Sequence, residues 1–250
     1  MSIISRIKEV TLDPTIVAWW ARERLGRGRD SIKKISRESL KRAGVLPLLY
    51  SGRDDELEPN YSDLAYLYQL IRLRRPRVVV EFGVGFSTIV IAQALLENQG
   101  SKTGGIGHLY TVDSEQVWLD NTREKLPDNL SHYVTFSCSP VLVDIDDNTL
   151  CHRHETLPNV SPNFIYLDGP SQGAPNSKGE IYGLNNNINS GTGVVGADVL
   201  LYESLAPLDF FILVDGRWKT CRFLHQRLKG KYKRRISYKR KNQTFEYLGE

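Results

Sequence analysis

From residue 61 onward, apolar residues alternate between helical spacing and short unbroken runs. Ser62–Arg74 (SDLAYLYQLIRLR) places Leu64, Leu67, Tyr68 and Ile71 on one helical face, and Pro76 stops that helix just before Val78, Val79 and Val80. A β-branched run with no polar alternation suits a strand buried on both faces, as in the centre of a parallel sheet. It ends in Glu81 and Phe82. A turn follows, Gly83-Val84-Gly85, then a helix that opens near Phe86, takes Ser87 or Thr88 as its cap and runs to Leu96. Further strands are predicted over His108–Val112, Tyr133–Cys138, Asn163–Leu167 and Phe210–Val214, and helices over Glu115–Leu126, Gly196–Leu205 and Trp218–Leu228. Tyr232–Tyr238 and Thr244–Leu248, joined near Lys241-Asn242, close the chain as a hairpin. The alternation predicts an α/β fold: a doubly wound, mainly parallel seven-stranded sheet with a C-terminal antiparallel hairpin.

Residues 1–60 read as an N-terminal helical extension to a domain over residues 61–250. Pro14 fits the first turn of a helix through Ile16, Val17, Trp19 and Trp20. Ser31 fits the cap of a second helix, SIKKISRESLKRAG, with Gly44 as its stop. Ser51–Asn60 reads as a linker. The 250 residues suffice for one large α/β domain with such an extension. Charged residues at 25% and a net charge of +4 describe an ordinary globular surface and select no partner. The three cysteines (Cys138, Cys151, Cys221) are odd in number and far apart, which points to a reducing compartment and a cytoplasmic protein. No run approaches the ~18 apolar residues of a membrane span, and the N-terminus lacks the apolar core of a signal peptide.

The chemistry concentrates at strand ends. Ligands of open α/β sheets bind outside the carboxyl ends of the strands, and four predicted strands end at or just before an acid: Glu81, Asp113, Asp168 and Asp215. One such acid is ordinary turn chemistry, but four on one rim point to a ligand or a metal. A dinucleotide turn is the first candidate. Thr88 stands where its third glycine belongs, and Asp113 lies beyond the usual spacing, so a pyrophosphate fits poorly. A cofactor with a ribose diol and a zwitterionic tail fits better.

VVVEFGVGFST is similar to the glycine-rich first motif of class I S-adenosylmethionine-dependent methyltransferases, LYTVDSE to their second motif and FIYLDGP to their fourth-strand motif. The resemblance covers roughly Tyr61 to Leu248. It implies S-adenosyl-L-methionine as cofactor, with Glu81 and the Gly83–Gly85 backbone on the methionine moiety, Asp113 on the ribose hydroxyls and Ser114 beside the adenine. Ser137-Cys138-Ser139 would line the adenine edge without the acid or amide that many relatives have there. The implied cofactor-binding set is Glu81, Phe82, Gly83, Val84, Gly85, Ser87, Thr88, Asp113, Ser114, Ser139 and Asp168. Asp168 is the first candidate for base or substrate anchor and Asp215 the second. The pair also resembles the acids that hold a divalent cation in metal-dependent O-methyltransferases. The fuller ligand pattern is missing, so a metal is the less favoured expectation. The expected reaction is methyl transfer to a small-molecule or saccharide acceptor, at oxygen. The alternatives are an RNA methyltransferase using the basic tail and a non-catalytic cofactor-binding scaffold.

Three other stretches carry expectations. Cys151-His152-Arg153-His154-Glu155 matches no closed zinc spacing and reads as a solvent-exposed loop. Ser171–Gly193 reads as a substrate-side lid. The tail from Arg217 to Lys241 holds many Lys and Arg residues, with Trp218, Tyr232 and Tyr238 interleaved. An edge strand protected by cations is favoured there over a nucleic-acid face, and an anionic glycan, lipid-linked sugar or phosphorylated substrate is the third reading.

Overall fold

A computed structural model describes residues 29–49, 59–99, 105–146, 149–170, 177–178, 195–238 and 240–249. The helix expected from Pro14, most of the linker and nearly all of the expected lid lie outside these residues. The chain divides into two compact units.

The first unit gathers the described residues up to 76, together with those of 86–107 and 122–133. It holds α1 (Arg29–Arg42), a 3-10 turn (Leu46–Leu49), α2 (Tyr61–Arg74), α3 (Phe86–Gln99), the last turn of α4 (Gln116–Lys125) and the short α5 (Asp128–Ser131). Leu40, Leu67, Ile71, Ile89, Ile91 and Leu95 are fully buried, the outcome of the helical spacing in the sequence. Gln69 Nε2 donates to Ser39 Oγ at 3.0 Å between α2 and α1, and Asn98 Nδ2 donates to the Ile71 carbonyl at 2.9 Å between α3 and α2. Two expected caps are corrected. Helix α1 starts at Arg29, which places Ser31 inside its first turn. Helix α3 starts at Phe86, directly after the glycine turn, so Ser87 and Thr88 are buried first-turn residues rather than caps.

The second unit is built on a seven-stranded sheet. Its strands are β1 (Val78–Phe82), β2 (His108–Asp113), β3 (Val134–Cys138), β6 (Phe164–Leu167), β9 (Phe211–Asp215), β10 (Lys231–Ser237) and β11 (Asn242–Gly249). They lie in the order β10-β11-β9-β6-β1-β2-β3. The strands from β9 to β3 are parallel, while β11 runs antiparallel to β9 and to β10. The chain winds from β1 to one edge, returns to β6 on the other side of β1 and continues outward. The winding switch therefore lies between β1 and β6, where a ligand crevice is expected. One face buries Val80, Phe82, Ile165, Leu167, Ile212 and Val214 with residues of α6 (Val199–Glu203) and α7 (Trp218–Arg227). The edge strand β10 exposes Lys231, Lys233 and Arg235, while Arg234 donates to Gln243 Oε1 and the Tyr232 ring packs tilted against Tyr247. Cations on an open edge fit protection against edge pairing.

A second, four-stranded sheet overturns two sequence readings. Strands β4 (Val141–Asp146) and β5 (Thr149–His154) form a hairpin flanked by two-residue strands β7 (Ser177–Lys178) and β8 (Val195–Gly196). Cys151–Glu155 is thus no exposed loop, since Cys151, His152 and His154 are buried in or at the end of β5. The helix expected over Gly196–Leu205 shrinks to Val199–Glu203, because Val195 and Gly196 pair with Cys151 and His152 instead.

Candidate functional site

Register explains how four distant stretches meet. Val112, Phe82, Leu167 and Val214 stand opposite one another in neighbouring parallel strands. The next residue of each strand therefore falls on one row: Asp113, Gly83, Asp168 and Asp215. Glu81 lies two positions before Gly83, on the same face and about 7 Å deeper at the usual strand rise. It is fully buried, level with Tyr166.

At the middle of this row two backbones touch. Gly83 has φ 92°, which L side chains rarely adopt, and a Cβ there would stand 2.7 Å from the Gly169 nitrogen. A Cβ on Gly169 would in turn collide with the Gly83 main chain. The Asp168 and Gly169 amides both donate to the Phe82 carbonyl, the first at 2.9 Å, and the Gly83 amide donates to Val112 O at 2.9 Å. Beside it, Gly85 faces open space, with nothing within 4 Å of the position a Cβ would take. The turn is thus fixed at one glycine and open at the other.

Asp113, 8% exposed, ties β2 to this turn. Its Oδ2 accepts the Val84 amide at 3.1 Å and its Oδ1 accepts the Glu115 amide at 2.9 Å. Ser114 is buried next to it, and its carbonyl lies 3.9 Å from Cys138 Sγ. Ser139 is fully buried with its Oγ bonded to the Thr156 amide at 2.8 Å, so its hydroxyl serves the neighbouring loop. Phe82 points to the opposite face and stacks on His154 at 5.5 Å and 24°. Ser87 and Thr88 belong to the first unit.

On the other side of the row stand Asp168, Asp215 and Arg217. Solvent touches the Asp168 side chain, but protein crowds the carboxyl group, and this lost hydration raises it to about 7. The charge of Asp215 adds to the rise and Arg217 opposes it. Burial also raises Asp215, against a hydrogen bond from the Tyr166 hydroxyl at 3.4 Å and the charge of Arg217. Arg217 Nη1 donates to the Pro170 carbonyl at 2.6 Å and Nη2 to that of Asp168. Among the described residues no group of three or more His, Cys, Asp or Glu side chains converges as a metal site.

Behind Phe82 lies a pair that sequence reasoning missed. His154 and Asp198, both 0% exposed, meet through Nδ1 and Oδ2 at 3.1 Å, and the His154 amide donates to Asp198 Oδ1 at 2.8 Å. A carboxylate only accepts, so Nδ1 carries the proton. Burial pushes His152, two residues earlier in β5, down to about 4, against the charge of Asp198. Arg217 was also missed as a site residue. The one local signal for it is its place two residues after Asp215.

The parallel core, the switch at β1 and β6 and the antiparallel β11 decide the architecture. The fold is that of the class I S-adenosylmethionine-dependent methyltransferases. Comparisons with protein-family models and with curated proteins find no match. Among solved structures the chain is similar to the O-methyltransferase TomG from Streptomyces achromogenes, involved in tomaymycin synthesis and in complex with SAM. That match has 14% identity, covers 93% of this chain and 96% of that one, and has a TM-score of 0.47. An O-methyltransferase from Bacillus cereus in complex with SAH matches at 13% identity over 92% of this chain and 97% of that one, with a TM-score of 0.47. An SAH-bound methyltransferase from Podospora anserina matches at 10% identity over 95% and 97%, with a TM-score of 0.48. No helix among the described residues is long and apolar enough to cross a membrane.

The residues present fit S-adenosyl-L-methionine, the cofactor that the sequence resemblance implies. A carboxylate ends the second strand, a glycine turn is held against it through the Val84 amide, and Gly85 leaves room where a side chain would stand.

Proposed function

We propose that this chain is an S-adenosylmethionine-dependent methyltransferase that modifies a hydroxyl of a small-molecule or saccharide acceptor. Residues 61–250 would carry the activity, with residues 1–60 as an extension. The observation that carries the reading is the single row of Asp113, Gly83, Asp168 and Asp215 across the winding switch. Asp113 engages the ribose diol, where one carboxylate serves two hydroxyls. Glu81 and the Gly83–Gly85 main chain hold the methionine end. Bound S-adenosyl-L-methionine supplies an electrophilic methyl group whose bonding pair leaves with sulfur. Asp168 accepts the proton that the acceptor hydroxyl loses as its oxygen bonds to carbon, and Asp215 orients that hydroxyl.

The acceptor class draws support from the rim. Trp218, 38% exposed, and Tyr238, 77% exposed, stack at 5.7 Å and 23°. The Gly216 amide donates to Lys241 O at 3.0 Å, fastening the hairpin turn to the end of β9. A flat, exposed aromatic pair beside the acids suits a sugar or aromatic ring. Trp218→Ala is expected to raise the acceptor KM by about tenfold or less, leaving kcat and cofactor affinity unchanged, at the ~0.5–1.5 kcal/mol of such a contact. Steady-state kinetics with each substrate varied separates the two. Of the three aromatics in the basic tail, Tyr232 is taken by Tyr247 and is not offered to a nucleic-acid base.

Asp113→Asn retains the shape but loses the charge and one of the two oxygens that accept the Val84 and Glu115 amides, and is expected to weaken S-adenosylhomocysteine binding by about 10- to 100-fold. The test of the function is transfer of labelled methyl from S-adenosylmethionine into sugars and hydroxy-aromatics. Label appearing with the wild type and lost with Asp113→Asn supports the proposal. Tight cofactor binding without transfer across the panel would favour a non-catalytic scaffold.

A further inference from the structure

Arg217 occupies an unfavourable place for a cation. It stands at the N-cap of α7, where a helix prefers a side-chain oxygen that accepts the first amides, and where the helix dipole opposes positive charge. Burial weighs further against its charge. Its guanidinium makes no capping bond. It reaches instead across the row and grips the main-chain carbonyls of Asp168 and Pro170.

We propose that Arg217 is a positioning residue for Asp168: by clamping the carbonyls on either side of Gly169 it fixes where the Asp168 carboxylate stands and keeps a cation beside it. This rests on the reading of Asp168 as the base. The groups that face the pair come from three strands of the row and from β5. Asp215 of β9 and Tyr166 of β6 bear on Arg217, as does Asp113 of β2, while His152 of β5 feels its charge. Asp215 and Arg217 act on Asp168 in opposite directions. The clamp holds the geometry, and the cation keeps the acid able to ionise beside a second acid.

The test is a carbon NMR titration of the Asp168 carboxyl in cofactor-free protein, assigned by its loss in Asp168→Asn, alongside the pH dependence of kcat/KM. Arg217→Gln is expected to move the Asp168 midpoint up by about one pH unit, and Asp215→Asn to move it down. The acidic limb of the rate profile follows both. Arg217→Lys keeps the cation without the fork, so its midpoint stays near that of the wild type while kcat falls. An Arg217→Gln protein that melts earlier yet titrates and reacts with unchanged midpoints would overturn the proposal, leaving a purely structural clamp. Should Arg217→Gln not fold, Arg217→Lys decides: an unchanged kcat sinks the idea. If no variant methylates anything, the titration still decides the influence of Arg217 on Asp168, and only the reading of function fails.

Discussion

Asp168→Asn is expected to lower kcat by about 10²- to 10⁴-fold, the range for losing a positioned general base, with cofactor affinity little changed. The substitution keeps the side chain's size and removes its ability to take a proton. The sign of its pH behaviour is fixed by the raised carboxyl. With Asp168 as the proposed base, activity requires the ionised form, so kcat/KM is expected to climb as pH rises through about 7 and to level above it. The same shift acts on stability in the opposite sense. A carboxyl raised above its unfolded value favours the fold while protonated, and that contribution is lost as pH rises from the ordinary aspartate range through about 7. The Asn variant carries no such penalty, so at pH 8 it melts no earlier than the wild type. A pH–rate profile and a melting curve at two pH values check both claims.

Gly83→Ala is expected to cost about 3 kcal/mol or more of stability, because two penalties add. A residue at φ 92° is strained, and its Cβ would enter the Gly169 backbone at 2.7 Å, which no side chain can relieve by rotating. Thermal denaturation should show a loss of about 6–12 °C. Gly85→Ala is the matched control. Its methyl meets no protein atom, so melting stays close to the wild type, whereas cofactor binding weakens because the methyl occupies the open side of the turn. The contrast between two glycines two residues apart separates folding from binding.

The difference between what the chain disclosed locally and what it withheld follows from distance. Val78–Phe82 was legible because its burial on both faces leaves an unbroken apolar run, and the strand occupies those residues. The four strand-end acids were legible because each closes such a run. Register then turned a list of acids into a row and set Glu81 deeper than the rest. The β4–β5 hairpin was not legible. Its apolar run, Val141–Val143, is broken by Asp144 and Asp146, and β5 turns polar from His152 onward, so neither strand stands out along the chain. The burial of His154 depends on Asp198, 44 residues later, and the role of Arg217 depends on carbonyls 47 and 49 residues earlier. Local periodicity carries no trace of such partners. Ser87 and Thr88 were misplaced for a smaller reason: the helix starts as soon as Gly85 completes the turn, one residue before any hydroxyl.

Isothermal titration of the purified chain with S-adenosylhomocysteine tests the central claim most directly. One site per chain with micromolar affinity or better is expected, weakened by Asp113→Asn and, in a protein that melts like the wild type, by Gly85→Ala. No heat of binding in a folded wild-type protein, or an affinity indifferent to both substitutions, would contradict it.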